Sequence, residues 1–323
     1  MKNIAIIGVG QIGSRHLQAM AFLEGSAIVQ LVDFFDESLK IAEKRFYEVY
    51  DDNFGKITLK SYMSIDELEG PIDLAIIATC SDVRADVIKE LIEKKEVKTL
   101  ILEKVLFQTV DEYFEIEKLL KEKAISAWVN CWMREKAFYR TLKSNLDLNK
   151  GIQMEVTGSG WGMCCNSIHF IDLFCFLTDV KEIDLSEADI SEVVPAKRER
   201  FKEMFGVIKG NNFRGDSILI SCNNNDGKRY GIKIINGSAI HEIDNTDKVI
   251  YKFLDGVKTS TELIEIPPQS LASHHLVHGI IDNKSCDLTP YNDSMKMHIT
   301  LIRNFNHYFE KMTGKEVRRC PIT

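Results

Sequence analysis

Apolar residues in the first 130 positions fall into short, nearly unbroken runs at Ile4 to Gly8, Ile28 to Asp33, Leu74 to Thr79, Thr99 to Leu102 and Ala127 to Val129. Between them lie segments such as Ile12 to Phe22, Val83 to Lys94 and Val110 to Lys123, where apolar positions recur every three or four residues. Short continuous strands alternating with amphipathic helices predict a parallel sheet covered on both faces. From about Gly151 to Ile266 the pattern changes to apolar/polar alternation, as in Ser217 to Cys222, Tyr230 to Ile235 and Val249 to Phe253. These runs are punctuated by Asn225-Asp226-Gly227, Asn236-Gly237 and Asp255-Gly256, the turn dipeptides of hairpins. A long helical segment, Tyr291 to Met312, follows Pro290. The expected architecture is therefore mixed: an α/β domain with a doubly wound parallel sheet over 1–130, then an α+β domain with a large open antiparallel sheet over 131–323 and a C-terminal helix at 291–312. No repeat and no low-complexity linker marks the boundary near residue 130, so a tight join is expected.

Composition narrows the class of partner. At 323 residues the chain can carry two cores. Lys and Arg number 41 against 48 for Asp and Glu, giving a net charge of -7 without a long basic run. Nucleic acid is therefore not expected as a partner. No apolar stretch approaches the ~20 residues of a membrane helix, and the N-terminal run lacks the length of a signal peptide, so a cytoplasmic chain away from the membrane is expected. The eight cysteines lack a C-x-x-C pair and read as reduced thiols.

The candidate chemistry begins at IAIIGVGQIGSRH, where Gly8-x-Gly10-x-x-Gly13 follows the first strand and opens a helix. In that setting Gly8 makes the turn, Gly10 admits a diphosphate to the backbone and Gly13 lets helix and strand pack, with the helix N-terminus facing the phosphates. Asp33 ends the second strand 20 residues after Gly13, where an acidic side chain takes the ribose hydroxyls. Gly8, Gly10, Gln11, Ile12, Gly13 and Asp33 are thus expected to hold a dinucleotide. Phe34 and Phe35 follow Asp33, with no Arg at hand for a 2'-phosphate, so NAD is favoured over NADP.

Three further stretches appear in order: LILEKVLF with Glu103-Lys104, VNCWMREKAF with Asn130 and Arg134, and GWGMCCNSIHFIDLF. Together with the glycine motif they resemble the glucose-fructose oxidoreductase / inositol dehydrogenase (Gfo/Idh/MocA) family over nearly the whole chain. The resemblance implies an N-terminal Rossmann domain before an open antiparallel substrate sheet. It implies that Lys104 maps to the lysine of the family's E-K-P and His169 to the histidine of D-x-x-x-H, and that Thr79 and Glu103 lie on the cofactor side. It also implies a carbohydrate substrate and a homodimer or homotetramer. The sequence departs from the family at three places. Val105 replaces the proline, and because a cis bond before a non-proline residue costs ~3–4 kcal/mol, the Lys104–Val105 peptide is expected to be trans. Cys165 stands where D-x-x-x-H has its Asp. Arg84 takes the place of the histidine in T-P-N-x-x-H.

Lys104 and His169 are the catalytic candidates, expected in one cleft. An ammonium beside a carbinol oxygen would stabilise the alkoxide as hydride leaves, and His169 would carry the proton or bind substrate. Asn130, Arg134, Trp161 and Asn166 are expected to bind substrate, although Trp161 also suits a core. His169 and Asp172 could equally form a structural pair. Cys131, Cys164, Cys165 and His169 have no metal-ligand spacing, and His274 lacks the following Glu of H-E-x-x-H, so no metal is expected and the 273–278 segment reads as a partly exposed helix or loop. Two functions fit: an NAD-dependent oxidoreductase acting on a secondary alcohol or ketone of a sugar, sugar nucleotide or polyol, or an NAD(H)-binding sensor or partner protein of the same fold without catalysis.

Overall fold

The computed structural model describes the whole chain apart from Asp226, Lys228, Ile266, Pro267, Ala272, Lys284 and Ser285 and the side chains of Ser186, Glu187 and Gln269. The Asp226 position of one expected turn lies outside the described residues. In chain order the elements are β1 (Lys2–Ile7), α1 (Gln11–Met20), β2 (Gly25–Val32), α2 (Asp36–Tyr47), β3 (Gly55–Tyr62), β4 (Leu74–Ile77), α3 (Ser81–Lys94), β5 (Thr99–Leu102), α4 (Val110–Glu122), β6 (Ser126–Val129), α5 (Ala137–Ser144), β7 (Gln153–Ser159) and α6 (Met163–Thr178). There follow β8 (Asp184–Pro195), β9 (Lys202–Asn211), β10 (Ser217–Asn223), β11 (Arg229–Asn236), β12 (Ala239–Asp244), β13 (Val249–Leu254), β14 (Val257–Leu263), α7 (Ser273–Asn283), β15 (Thr289–Pro290) and α8 (Tyr291–Thr313). None of the described helices is long and apolar enough to cross a membrane.

The chain forms two compact units. The first comprises Met1–Phe107, Asp111–Asn130 and Pro267–Tyr291; the second comprises Gln108–Val110, Cys131–Ile266 and Asn292–Thr323. In the first unit the strands run β15-β6-β5-β4-β1-β2-β3. All pairs are parallel except β15 with β6. Ile4, Ala5, Ile6 and Leu74 to Ile77 are fully buried, as the unbroken apolar runs require of central strands covered on both faces. β3 was not among the expected strands, because Lys56, Thr58 and Lys60 interrupt its apolar positions; it lies at the end of the strand order, beside β2. The order reverses between β1 and β4, and the crevice beyond their C-terminal ends is where open α/β sheets take ligands. The C-terminal return could not be read from the periodicity. α7 packs on α1, and Thr289–Pro290 adds the edge strand beside β6.

The second unit holds an eight-stranded sheet ordered β14-β13-β12-β11-β7-β10-β9-β8. It is antiparallel except where β7 and β10 pair in parallel, a departure from the uniform antiparallel pattern the hairpin turns suggest. Met154, Val156, Ile218, Ile220, Ile232 and Ile234 are buried on one face, and α6 lies against β9 and β10. The alternate positions, among them Glu155, Leu219, Lys233, Ile235 and Glu242, are only partly buried.

Candidate functional site: a nucleotide cradle and a histidine-aromatic cluster

The glycine loop is shaped by what its neighbours leave no room for. Gly8 has φ +84°, and a Cβ there would meet the Thr79 backbone nitrogen at 2.8 Å; a Cβ on Gly13 would meet the Gly8 carbonyl oxygen at 2.0 Å. Gly10, by contrast, faces open space, with nothing within 4 Å of the Cβ position. It is also the N-cap of α1 and offers no side chain to the first turn's N–H groups. An open backbone approach at an uncapped helix N-terminus is what a diphosphate needs. Gln11 and Ile12 begin α1 and are exposed there. Asp33 accepts from the Val9 N–H at 2.9 Å and from the Phe35 N–H at 3.0 Å. The carboxylate thus braces the loop, while its remaining lone pairs can accept ribose hydroxyls. Phe34 and Phe35 beside it are about seven-tenths exposed, at 71% and 72%. One arginine does reach this end: Arg45 of α2 donates to Ser14 Oγ at 2.6 Å and Gln11 Oε1 at 3.3 Å. The sequence hides it because it lies twelve residues beyond Asp33. At the end of β4, the Thr79 hydroxyl is buried with no hydrogen-bond partner among the described residues, an orphan donor that a bound group can satisfy. These features fit NAD.

Glu103 and Asn130, expected to meet cofactor and substrate, share a buried hydrogen-bonded network. Asn130 Nδ2 donates to Glu103 Oε1 at 2.5 Å, and His16 Nε2 lies 2.9 Å from the same oxygen. The other ring nitrogen of His16 pairs with Ser273 Oγ at 2.9 Å, so α1, β5, β6 and α7 meet at one carboxylate. Burial alone would raise the Glu103 pKa; the hydrogen bond and charge of His16, with the Asn130 bond, outweigh it and hold the group at about 2. Lys104 is partly exposed just beyond. The Lys104–Val105 peptide is cis, contrary to the expectation drawn from the missing proline. The contacts of the next residues outweigh the local preference: the Arg84 guanidinium donates to the Val105 and Leu106 carbonyls, and the Phe107 N–H and C=O both bond the Tyr113 hydroxyl.

In the second unit, α6 carries His169, 5% exposed, with its ring edge-on to Trp132 at 5.8 Å between centroids. Arg134 Nε donates to the fully buried Asp172 carboxylate at 2.9 Å. Arg134 therefore braces α6, and its expected part in substrate binding is limited to what this ion pair leaves. Asn166 donates to the Trp161 carbonyl at 2.6 Å. Trp161 is a core residue: it is 7% exposed, packs edge-on against Phe170 at 5.2 Å and donates its indole N–H to Ser221. The aromatic beside His169 is Trp132, which was not among the expected site residues because WMRE reads as a connection. Lys136 lies over the Trp132 ring at 4.9 Å, and burial lowers its pKa. Trp132, Lys136, Tyr139 and Asn245 line a small cavity of about 10 Å3, room for about one water molecule. A carboxylate also stands at the head of α6, from a distant strand: Glu203 of β9 accepts from the Cys164 N–H at 2.6 Å. Cys165 turns its thiol to the Gly162 carbonyl at 3.5 Å. Among the described residues no cluster of His, Cys, Asp and Glu could hold a metal.

The strand order, the glycine cradle and Asp33 define the first unit as an NAD-binding Rossmann fold. Residues 2–131 match the Gfo/Idh/MocA oxidoreductase family, described as an oxidoreductase family with an NAD-binding Rossmann fold, so the family model supports the resemblance over the first unit's nucleotide-binding segment. No curated protein matches the chain in sequence. Solved structures share the fold. An oxidoreductase from Agrobacterium radiobacter, crystallised with NAD+, L-tartaric acid and magnesium, is 15% identical over 97% of both chains, with a TM-score of 0.71. UDP-N-acetylglucosamine 3-dehydrogenase from Acidithiobacillus ferrooxidans is 13% identical over 93% of this chain and 95% of that one, with a TM-score of 0.70. A super-repressor mutant of Gal80p from Saccharomyces cerevisiae is 13% identical over 97% and 96%, with a TM-score of 0.69.

Proposed function

We propose that the protein is an NAD-dependent oxidoreductase that moves hydride between the nicotinamide and a secondary alcohol or ketone of a sugar, sugar nucleotide or polyol. The observation that carries this reading is the cradle itself: Gly10 open to solvent at an uncapped helix N-terminus, with Asp33 and the orphan Thr79 hydroxyl on neighbouring strand ends. When bound, the nicotinamide supplies the hydride acceptor. In this reading the Lys104 ammonium stabilises charge developing on the carbinol oxygen, and His169 holds or passes the hydroxyl proton. The carbohydrate class is supported by the family resemblance and by the sugar-nucleotide dehydrogenase among the similar structures. Within the same proposal the protein is cytoplasmic and a homodimer or homotetramer.

Catalysis is supported over a sensor role by Lys104 beside the cradle. The sensor reading keeps one observation in its favour: Cys165 is bonded within its own helix turn and offers no carboxylate. The test is to titrate the protein with NAD(H) and NADP(H), then follow NADH absorbance and labelled-hydride exchange against a panel of sugars, sugar nucleotides and polyols. Exchange with any panel member supports the enzyme; tight NADH binding with none overturns it in favour of the sensor. Asp33 should make NAD(H) bind more tightly than NADP(H), and equal or tighter NADPH binding would mean that Arg45 turns to the 2'-phosphate.

A further inference from the structure

Arg84, on the first turn of α3, is 2% exposed and belongs to the first unit's interior. Its guanidinium donates to backbone carbonyls: Nη1 to Val105 and Leu106, the latter at 2.9 Å, and Nη2 to Thr79. Val105 and Leu106 follow β5 and Lys104; Thr79 follows β4. A single planar fork therefore joins the two loops that leave adjacent strands at the crevice. Nε has no partner among the described residues. Burial lowers the pKa to about 10, with the charge of Glu103 opposing that shift, so the group remains a cation at neutral pH. A buried cation is a poor device for stability, because desolvating it costs more than an apolar side chain of the same size. What the guanidinium supplies is fixed geometry: its donors lie in one plane and reach several acceptors at set angles, which a lysine ammonium cannot reproduce.

We propose that Arg84 is the positioning residue of the Lys104 loop, locking the segment from Lys104 to Leu106 against Thr79 so that the ammonium and the Thr79 hydroxyl are held in one arrangement. The inference rests on the proposed role of Lys104. Its direct readouts do not require a known substrate.

The experiment uses full-length wild type, Arg84→Lys and Arg84→Gln. Three quantities are measured: NADH affinity by fluorescence, hydrogen exchange of the 103–107 amides, and the rate of Lys104 acylation by acetic anhydride, followed by peptide mass spectrometry across pH with and without NAD. In both variants the loop amides should exchange at least about tenfold faster. Lys104 should acylate several-fold faster and lose its protection by NAD, while NADH affinity stays within about threefold because the glycine cradle is untouched. Guanidinium ion at about 50 mM, far below denaturing levels, should restore the slow exchange in Arg84→Gln. Exchange and acylation at the wild-type rate in either variant would overturn the proposal. If Arg84→Gln does not fold, Arg84→Lys, which keeps the charge and loses the fork, decides the matter by the same readouts. Failure of the wider reading looks different: wild-type Lys104 would then show no protection by NAD and no panel member would exchange hydride, whatever the variants do.

Discussion

At the scale of single residues, the proposed chemistry assigns roles to Lys104 and His169 and none to Cys165. Lys104 stands just past a carboxylate bound by His16 and Asn130, and in the proposed reaction its ammonium meets the substrate oxygen. Cys165 bonds its own helix turn, and the neighbouring Cys164 thiol is pushed well up by burial and the charge of Glu203. Lys104→Met should therefore reduce turnover by ~100-fold or more with NAD affinity nearly unchanged, and His169→Asn should do likewise. Cys165→Ser should change the rate little. Steady-state turnover with cofactor titration on the three variants decides it. Full activity in Lys104→Met would remove the lysine from the mechanism, and a folded but inactive Cys165→Ser would give the thiol the missing carboxylate's role.

At the scale of elements, the Glu103 network joins α1, β5, β6 and α7. The folded carboxyl titrates at about 2, whereas an unfolded glutamate titrates near ~4.3. The folded state thus holds this proton more weakly, so the contribution is complete above pH ~4.3 and is lost as pH falls towards ~2. Glu103→Gln should lower the melting temperature at pH 7 by an amount equivalent to ~1–3 kcal/mol, and should flatten the loss of stability between pH 5 and 3 relative to wild type. Thermal melts across that range test it, and parallel acid limbs in the two proteins would contradict the network. The strands and helices meeting here were legible as elements, but their meeting was not. A 3.6- or 2-residue period tells which face is buried, not which neighbour buries it.

At the scale of the whole molecule, the second unit leaves one face of a large sheet with Leu219, Ile235 and Ile240 partly exposed among Glu155, Lys233 and Glu242. Lys233 and Glu242 lie 3.8 Å apart across β11 and β12. The face is more mixed than the apolar runs suggested, so its apolar positions rather than its charged pairs are where a second copy would pack. Light scattering at micromolar concentration should give at least ~74 kDa, twice the 36.9 kDa of one chain. A particle of one chain's mass would contradict the assembly, and Leu219→Glu with Ile235→Glu should dissociate it if this face is the contact.

Residue order alone determined the two sheet types, the glycine cradle with Asp33, the change of pattern after residue 130 and the helix that ends as α8 at Thr313. These are local or periodic properties, carried by turn glycines and by apolar repeats that any fold of this chain must respect. Tertiary structure decided the rest. It returned α7 and β15 to the first sheet, turned Glu103 and Asn130 inward to meet His16, committed Arg134 to Asp172, put Trp132 beside His169 while Trp161 filled a core, and set Arg84 across two loops. Each of these depends on partners distant in sequence. A buried polar group must find a donor or acceptor wherever the fold provides one, and no spacing along the chain records where that is.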